Sequence, residues 1–162
     1  MNGSIIQHVL ANSPYTSKYY KGFCTFDIEL PSNFSTPSFF ILNTDRWHGE
    51  GEHWCVANFI SDNVCEFYDS YGKQPCYYDF DKILYPRAEN VVFNPYRLQG
   101  SRPTCGHHCL FYILHRYYGF SPSYIINELL SSGQREQDLA LNDSTVYNYI
   151  LENYGTMYAD SV

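Results

Sequence analysis

Four residues have side chains suited to covalent acyl transfer: His53, Asp69, Gln99 and Cys105. Cys105 opens a long apolar helical pattern, and the unpaired N–H groups of a helix N-terminus favour the thiolate, the nucleophilic form of a thiol. Gly106 behind it permits close backbone approach. An imidazole beside that thiol could take its proton and return it later. A carboxylate on the far side of the ring would fix one tautomer and stabilise the imidazolium. His53 and Asp69 can supply these two groups. Gln99 stands six residues before Cys105, where its carboxamide and the Cys105 backbone N–H could aim two donors at a developing oxyanion. Each residue alone also fits an ordinary role: Cys105 as a small buried apolar group, His53 and Asp69 as loop residues, Gln99 as a solvated amide.

Those roles require elements that bring the residues together. Residues 4–11 carry apolar positions at helical spacing behind a possible Ser4 cap, and Asn12-Ser13-Pro14 ends the run. Residues 23–30, 38–44, 54–60, 64–68 and 91–93 are short, rich in β-branched and aromatic side chains, and read as strands. Ser61-Asp62-Asn63 is a tight turn, so 54–60 and 64–68 should form an antiparallel hairpin with His53 and Asp69 at its open end. Residues 105–118 are apolar on nearly all sides and predict a buried helix ended by Gly119. Two further helices are predicted over 122–130 and 144–153, the second capped by Asp143-Ser144. Helix, strands, then helices imply one α+β domain over residues 1–162.

Five segments carry a resemblance: Ile41-Leu42-Asn43-Thr44, Gly51-Glu52-His53-Trp54, Phe67-Tyr68-Asp69-Ser70-Tyr71-Gly72, Gln99-Gly100, and Thr104-Cys105-Gly106-His107-His108-Cys109. In this order and spacing they resemble the adenovirus-type cysteine protease (adenain) family, in the clan shared with SUMO and ubiquitin-like proteases. The resemblance runs from about Phe39 to His115. It implies a papain-like, adenain-like fold: a mixed β-sheet flanked by helices, with the nucleophile at the N-terminus of a buried helix. By it, Cys105 is the nucleophile, His53 the base and acid, Asp69 the orienting carboxylate and Gln99 the oxyanion donor. Trp54 and Gly106 would line the substrate site, Trp54 lying over the cleft and admitting only small residues near the scissile bond. An aromatic at a strand start would equally fit a core position. The implied activity is a cysteine endopeptidase cutting at Gly-containing sites, expected to be a viral or virus-derived enzyme that matures precursor proteins. A ubiquitin-like deconjugase and a catalytically inactive binding module on the same scaffold are the alternatives. Asp69 stands where adenoviral members carry Glu, and matches the SUMO-protease branch. The family's activating peptide is tethered through a cysteine upstream of the Gln, and no cysteine stands between Tyr77 and Thr104.

Composition narrows the partners. With 17 acidic and 10 basic residues the chain carries −7, which argues against nucleic acid as partner or DNA as cofactor. The first fifteen residues lack the basic start and apolar run of a secretory signal, and the apolar run 109–114 is far shorter than the ~20 residues of a membrane span. An intracellular location, in host cytoplasm or nucleus, and reduced thiols are therefore expected, and the resemblance implies protein substrates and a virion as a further location. No cofactor or metal is expected. His48-Gly49-Glu50 with Pro103, Cys105 and Cys109 only superficially resembles a zinc-deaminase signature, because its spacings are wrong. Cys105, His108 and Cys109 at helical spacing could offer three zinc ligands, but Cys109 one turn on fits the core better.

Overall fold

The computed structural model describes residues 1–49 and 51–159, with the side chains of 157–159 left aside. Strands β1 (Tyr20–Thr25), β2 (Ser38–Asn43), β3 (Trp54–Ser61), β4 (Val64–Tyr68) and β5 (Asn90–Phe93) form one sheet in that order. The sheet is mixed: β1–β2 and β4–β5 are parallel, and β2–β3 and β3–β4 antiparallel. Alternation along a strand sends successive side chains to opposite faces. Phe39, Ile41 and Val56 accordingly enter the core beneath helices α1 (Gly3–Asn12), α3 (Cys105–Tyr117), α4 (Pro122–Leu130) and α5 (Glu136–Ala159). Phe40, Leu42, Cys55, Ala57 and Phe59 face the other way, onto Leu30, Phe80 and the short helix α2 (Asp81–Leu84).

Three elements differ from the sequence expectation. The first strand ends at Thr25 rather than running over 23–30, because the Thr25 hydroxyl donates to Asp27 (2.6 Å) and the Ile28 N–H to the Thr25 carbonyl (3.2 Å). A local side-chain bond of this kind competes with the ladder and turns the chain. The cap of α1 is Asn2, whose Oδ1 accepts from Ile5 N–H at 3.0 Å, and not Ser4. The last helix starts at Glu136, so Asp143 and Ser144 lie inside it and cap nothing. It starts there because Asp138 reaches back to accept the Arg135 N–H at 3.0 Å, one half of a capping box.

One buried ion pair ties α3 to the sheet. Asn58 and Glu66 are register partners on β3 and β4 and point at α3. Arg116 grips Glu66 with two nitrogens (2.7 and 2.9 Å), while Tyr112 (3.1 Å) and Asn58 (2.9 Å) also donate to that carboxylate. Removing one partner would strand a charge that is 4% exposed. Arg116→Met should therefore lower unfolding free energy by about 3 kcal/mol. A urea midpoint equal to the parent's would refute this.

Candidate active site

Cys105 is the first residue of α3, partly exposed, with Thr104 at the cap position. Burial pushes its thiol pKa up, but the hydrogen bond and charge of His53, with the Trp54 and Gly106 backbone, outweigh it and the net shift is downward. His53 lies just ahead of β3 and is 7% exposed, its ring flanked by Tyr71 (centroids 4.8 Å apart) and Tyr78 (5.7 Å). Its Nε2 meets Asp69 Oδ1 at 2.6 Å, which leaves Nδ1 for the Cys105 thiol. Burial works against a charged ring, yet the bonds to Asp69 and Cys105 prevail and raise the His53 pKa to about 9. The hairpin thus delivers the two residues to one end, and β4 stops one residue before Asp69.

Asp69 is fully buried and held from several sides. Oδ1 also accepts from Tyr71 N–H (3.1 Å), and Oδ2 from Lys73 N–H (2.9 Å) and the Tyr78 hydroxyl (3.2 Å). Asn94 clasps its backbone, accepting from the N–H (3.1 Å) and donating to the carbonyl (2.9 Å). Gly72 closes the turn at φ 71°, where an added Cβ would stand 2.5 Å from the Tyr96 carbonyl carbon. A substituent there would strain the turn that feeds donors to Asp69.

Gln99 is 1% exposed rather than a solvated amide. Its Oε1 accepts from the Ser70 hydroxyl (2.6 Å) and its Nε2 donates to the Arg102 carbonyl (2.8 Å). The carbonyl can only accept, so the amide orientation follows from its partners. The second Nε2 hydrogen has no partner among the described residues. The Arg102 carbonyl also accepts Thr104 N–H (2.8 Å), so the carboxamide is anchored to the loop that runs into Cys105.

Trp54 and Gly106 share a neighbour. The Trp54 indole packs on Phe23 (5.4 Å) and donates to the Met1 carbonyl (3.3 Å). A Cβ on Gly106 would stand 3.1 Å from Met1 Cβ and 3.0 Å from Ile6 Cδ1, so glycine lets α1 lie close against α3. Trp54 is thus a half-buried packing residue at the Cys105 end of α3, rather than a residue shown to lie over a cleft. An open groove of about 500 Å³ adjoins His53 on the other side, walled by Tyr71, Lys73, Tyr77, Glu52 and Phe26.

The zinc alternatives separate in space. His108 faces Asp143 (3.2 Å), and the buried Cys109 thiol donates to the Trp54 carbonyl (3.2 Å). His48 is exposed, and Glu50 lies outside the described residues. His53, Cys55 and Asp69 do bring ligand atoms within 4.8 Å of one another. A metal would need the Cys55 thiolate, whereas burial and then the nearby Asp69 push that thiol well up.

No family model matches the chain, and neither does any curated protein. It is similar in structure to the ASFV pS273R protease: the selenomethionine crystal structure is 25% identical over 65% of this chain and 43% of that one, at TM-score 0.36. Another crystal structure of that protease is 22% identical over 65% and 41%, also at 0.36. The chain thus spans about two fifths of the length of these proteases.

The supporting residues Tyr71, Tyr78, Asn94, Ser70 and Asp143 were absent from the sequence reading of the site. Tyr71 and Ser70 lie inside the quoted Tyr-Asp-Ser-Tyr-Gly segment and could have been suspected from it. Tyr78 and Asn94 come from a short 3₁₀ turn and a loop, which give no periodic signal.

Proposed function

We propose that the chain is a cysteine endopeptidase in which Cys105 attacks the peptide carbonyl, His53 shuttles the proton, Asp69 orients the ring, and Gln99 with the Cys105 N–H holds the oxyanion. The observation that carries this reading is the 2.6 Å contact of His53 Nε2 with the buried Asp69 carboxylate, beside a Cys105 thiol that opens α3 and whose pKa the His53 hydrogen bond and charge lower. The thiolate adds to the carbonyl carbon, His53 protonates the departing amine, and water then hydrolyses the thioester. We take the substrates to be extended segments of precursor proteins with Gly beside the scissile bond, as the resemblance to the adenain family implies. Digestion of a proteome-derived peptide library, read by mass spectrometry on the parent and on Cys105→Ser, tests it. New termini flanked by Gly in the parent alone support the proposal. Absence of new termini from a parent whose Cys105 alkylates rapidly overturns the endopeptidase reading.

The two pKa shifts predict a pH profile. Between the lowered thiol and the raised imidazole the pair is thiolate–imidazolium. The protonated ring is present below about 9 and is lost as pH rises through that value. Hydrolysis, which needs the proton, should therefore fall above about pH 9, while Cys105 alkylation, which needs only the thiolate, should not. On the acid side both should persist below the ~8.5 of a free thiol. Parallel profiles following an unperturbed thiol would exclude the ion pair.

A further inference from the structure

Helix α5 carries a carboxylate, Asp143, that is 0% exposed and lies outside the Cys105–His53–Asp69 line. Taking such a group from water is costly unless donors surround it, and here four do. Oδ1 accepts from Gly100 N–H (3.1 Å), the Thr104 hydroxyl (2.8 Å) and His108 Nε2 (3.2 Å), and Oδ2 accepts from Arg102 N–H (3.3 Å). The His108 tautomer follows from its surroundings. Burial holds the ring neutral, Nδ1 faces the Tyr68 hydroxyl at 3.5 Å, and Nε2 keeps its proton for Asp143. Three donors thus precede Cys105 and the fourth lies in the first turn after it. The adjacent Asn142 donates to the Leu98 carbonyl at 3.1 Å, extending the same grip to the front of the loop.

These contacts converge on the segment that bears both oxyanion donors. Gln99 is anchored to the Arg102 carbonyl, the Arg102 N–H is anchored to Asp143, and Thr104 immediately precedes the Cys105 N–H. We propose that Asp143 is a positioning residue: by clasping residues 100–104 it aims the Gln99 carboxamide and the Cys105 N–H at one carbonyl oxygen. This rests on Cys105 being the nucleophile. Donors of this kind lose effect when displaced by a fraction of an ångström, so the clasp matters to acyl transfer far more than to thiol reactivity.

Two small probes separate those quantities. With benzyloxycarbonyl-glycine p-nitrophenyl ester, the Cys105 thiolate adds to the carbonyl, the thioester bond forms, and the ester C–O bond breaks with release of p-nitrophenolate. That path runs through an oxyanion. Iodoacetamide is attacked at saturated carbon with loss of iodide, and makes none. Asp143→Asn should slow acylation by about 10–100-fold and leave the pH 6 iodoacetamide rate within about threefold. Thr104→Val, which removes one donor, should slow acylation less. In a Gln99→Ala background the Asp143→Asn effect should shrink, because coupled residues are not additive. Equal losses with both probes would make Asp143 a structural support only and overturn the proposal, as would an unchanged acylation rate.

Hydrogen exchange of the 99–104 amides, read by mass spectrometry, judges the clasp without activity. Faster exchange there in Asp143→Asn is expected, and unchanged protection overturns the proposal. A parent chain whose Cys105 reacts slowly with iodoacetamide would instead refute the protease reading, and the exchange result would still stand on its own.

Discussion

Replacing His53 by Ala should reduce peptide hydrolysis by about 10⁵–10⁶-fold, the loss typical when one member of a nucleophile–base pair is removed. Two functions disappear together. The Cys105 thiol loses the hydrogen bond and positive charge that lower its pKa, and the departing amine loses its proton donor. The first loss can be seen without a substrate. Near pH 6 a thiol of ordinary pKa of ~8.5 is below about 1% ionised, so the alkylation rate of Cys105 should fall by about 100-fold in the variant. Site-resolved mass spectrometry of all six cysteines supplies internal controls, since Cys24 and Cys55 are buried and Cys76 is exposed. Cys105 reacting no faster than Cys76 in the parent, or equally fast with and without His53, would refute the assignment.

Asp69→Asn should lower kcat/KM by about 10³–10⁴-fold, for a reason particular to this geometry. Asp69 meets His53 at Nε2, so that nitrogen must carry a proton for Nδ1 to accept one from Cys105. A carboxamide that presents its NH₂ group to Nε2 imposes the opposite tautomer. Turning the amide round puts that NH₂ against the Lys73 N–H and Tyr78 hydroxyl, which now donate to the carboxylate. In either orientation a buried donor loses its acceptor, at about 1–3 kcal/mol. Activity and urea stability should therefore drop together. A variant within tenfold of the parent rate would show that Asp69 does not set the tautomer.

The fold was readable in sequence where alternation or helical spacing was strong. The hairpin around Ser61–Asn63 and the apolar 105–118 run were of this kind, and they placed His53, Asp69 and Cys105. The start of α5 was not readable. Its core stripe runs through Leu139, Val146 and Ile150, but Asn142 and Asp143 occupy buried positions between them and break the apolar period. The same two residues serve the 98–104 loop, so the polarity that hid the helix reflects its contacts with that loop. Gln99 posed a different problem. Its position before Cys105 suggested a role, but its burial depends on Ser70 and Arg102, contacts that no local pattern encodes. The first strand was misplaced because Asp27 acts on Thr25 through a side-chain bond, a signal weaker than the aromatic run around it.

A ribosome delivers Cys105 well before it delivers Asp143. The carboxylate comes 39 residues after Thr104, its partner in the clasp. At about 5–20 residues per second, that is a delay of roughly 2–8 s. During this interval the hairpin and the thiol-bearing segment exist while their loop is still untethered. On the endopeptidase reading proposed above, the donors flanking Cys105 would converge, and cleavage could begin, only once α5 has docked on that loop.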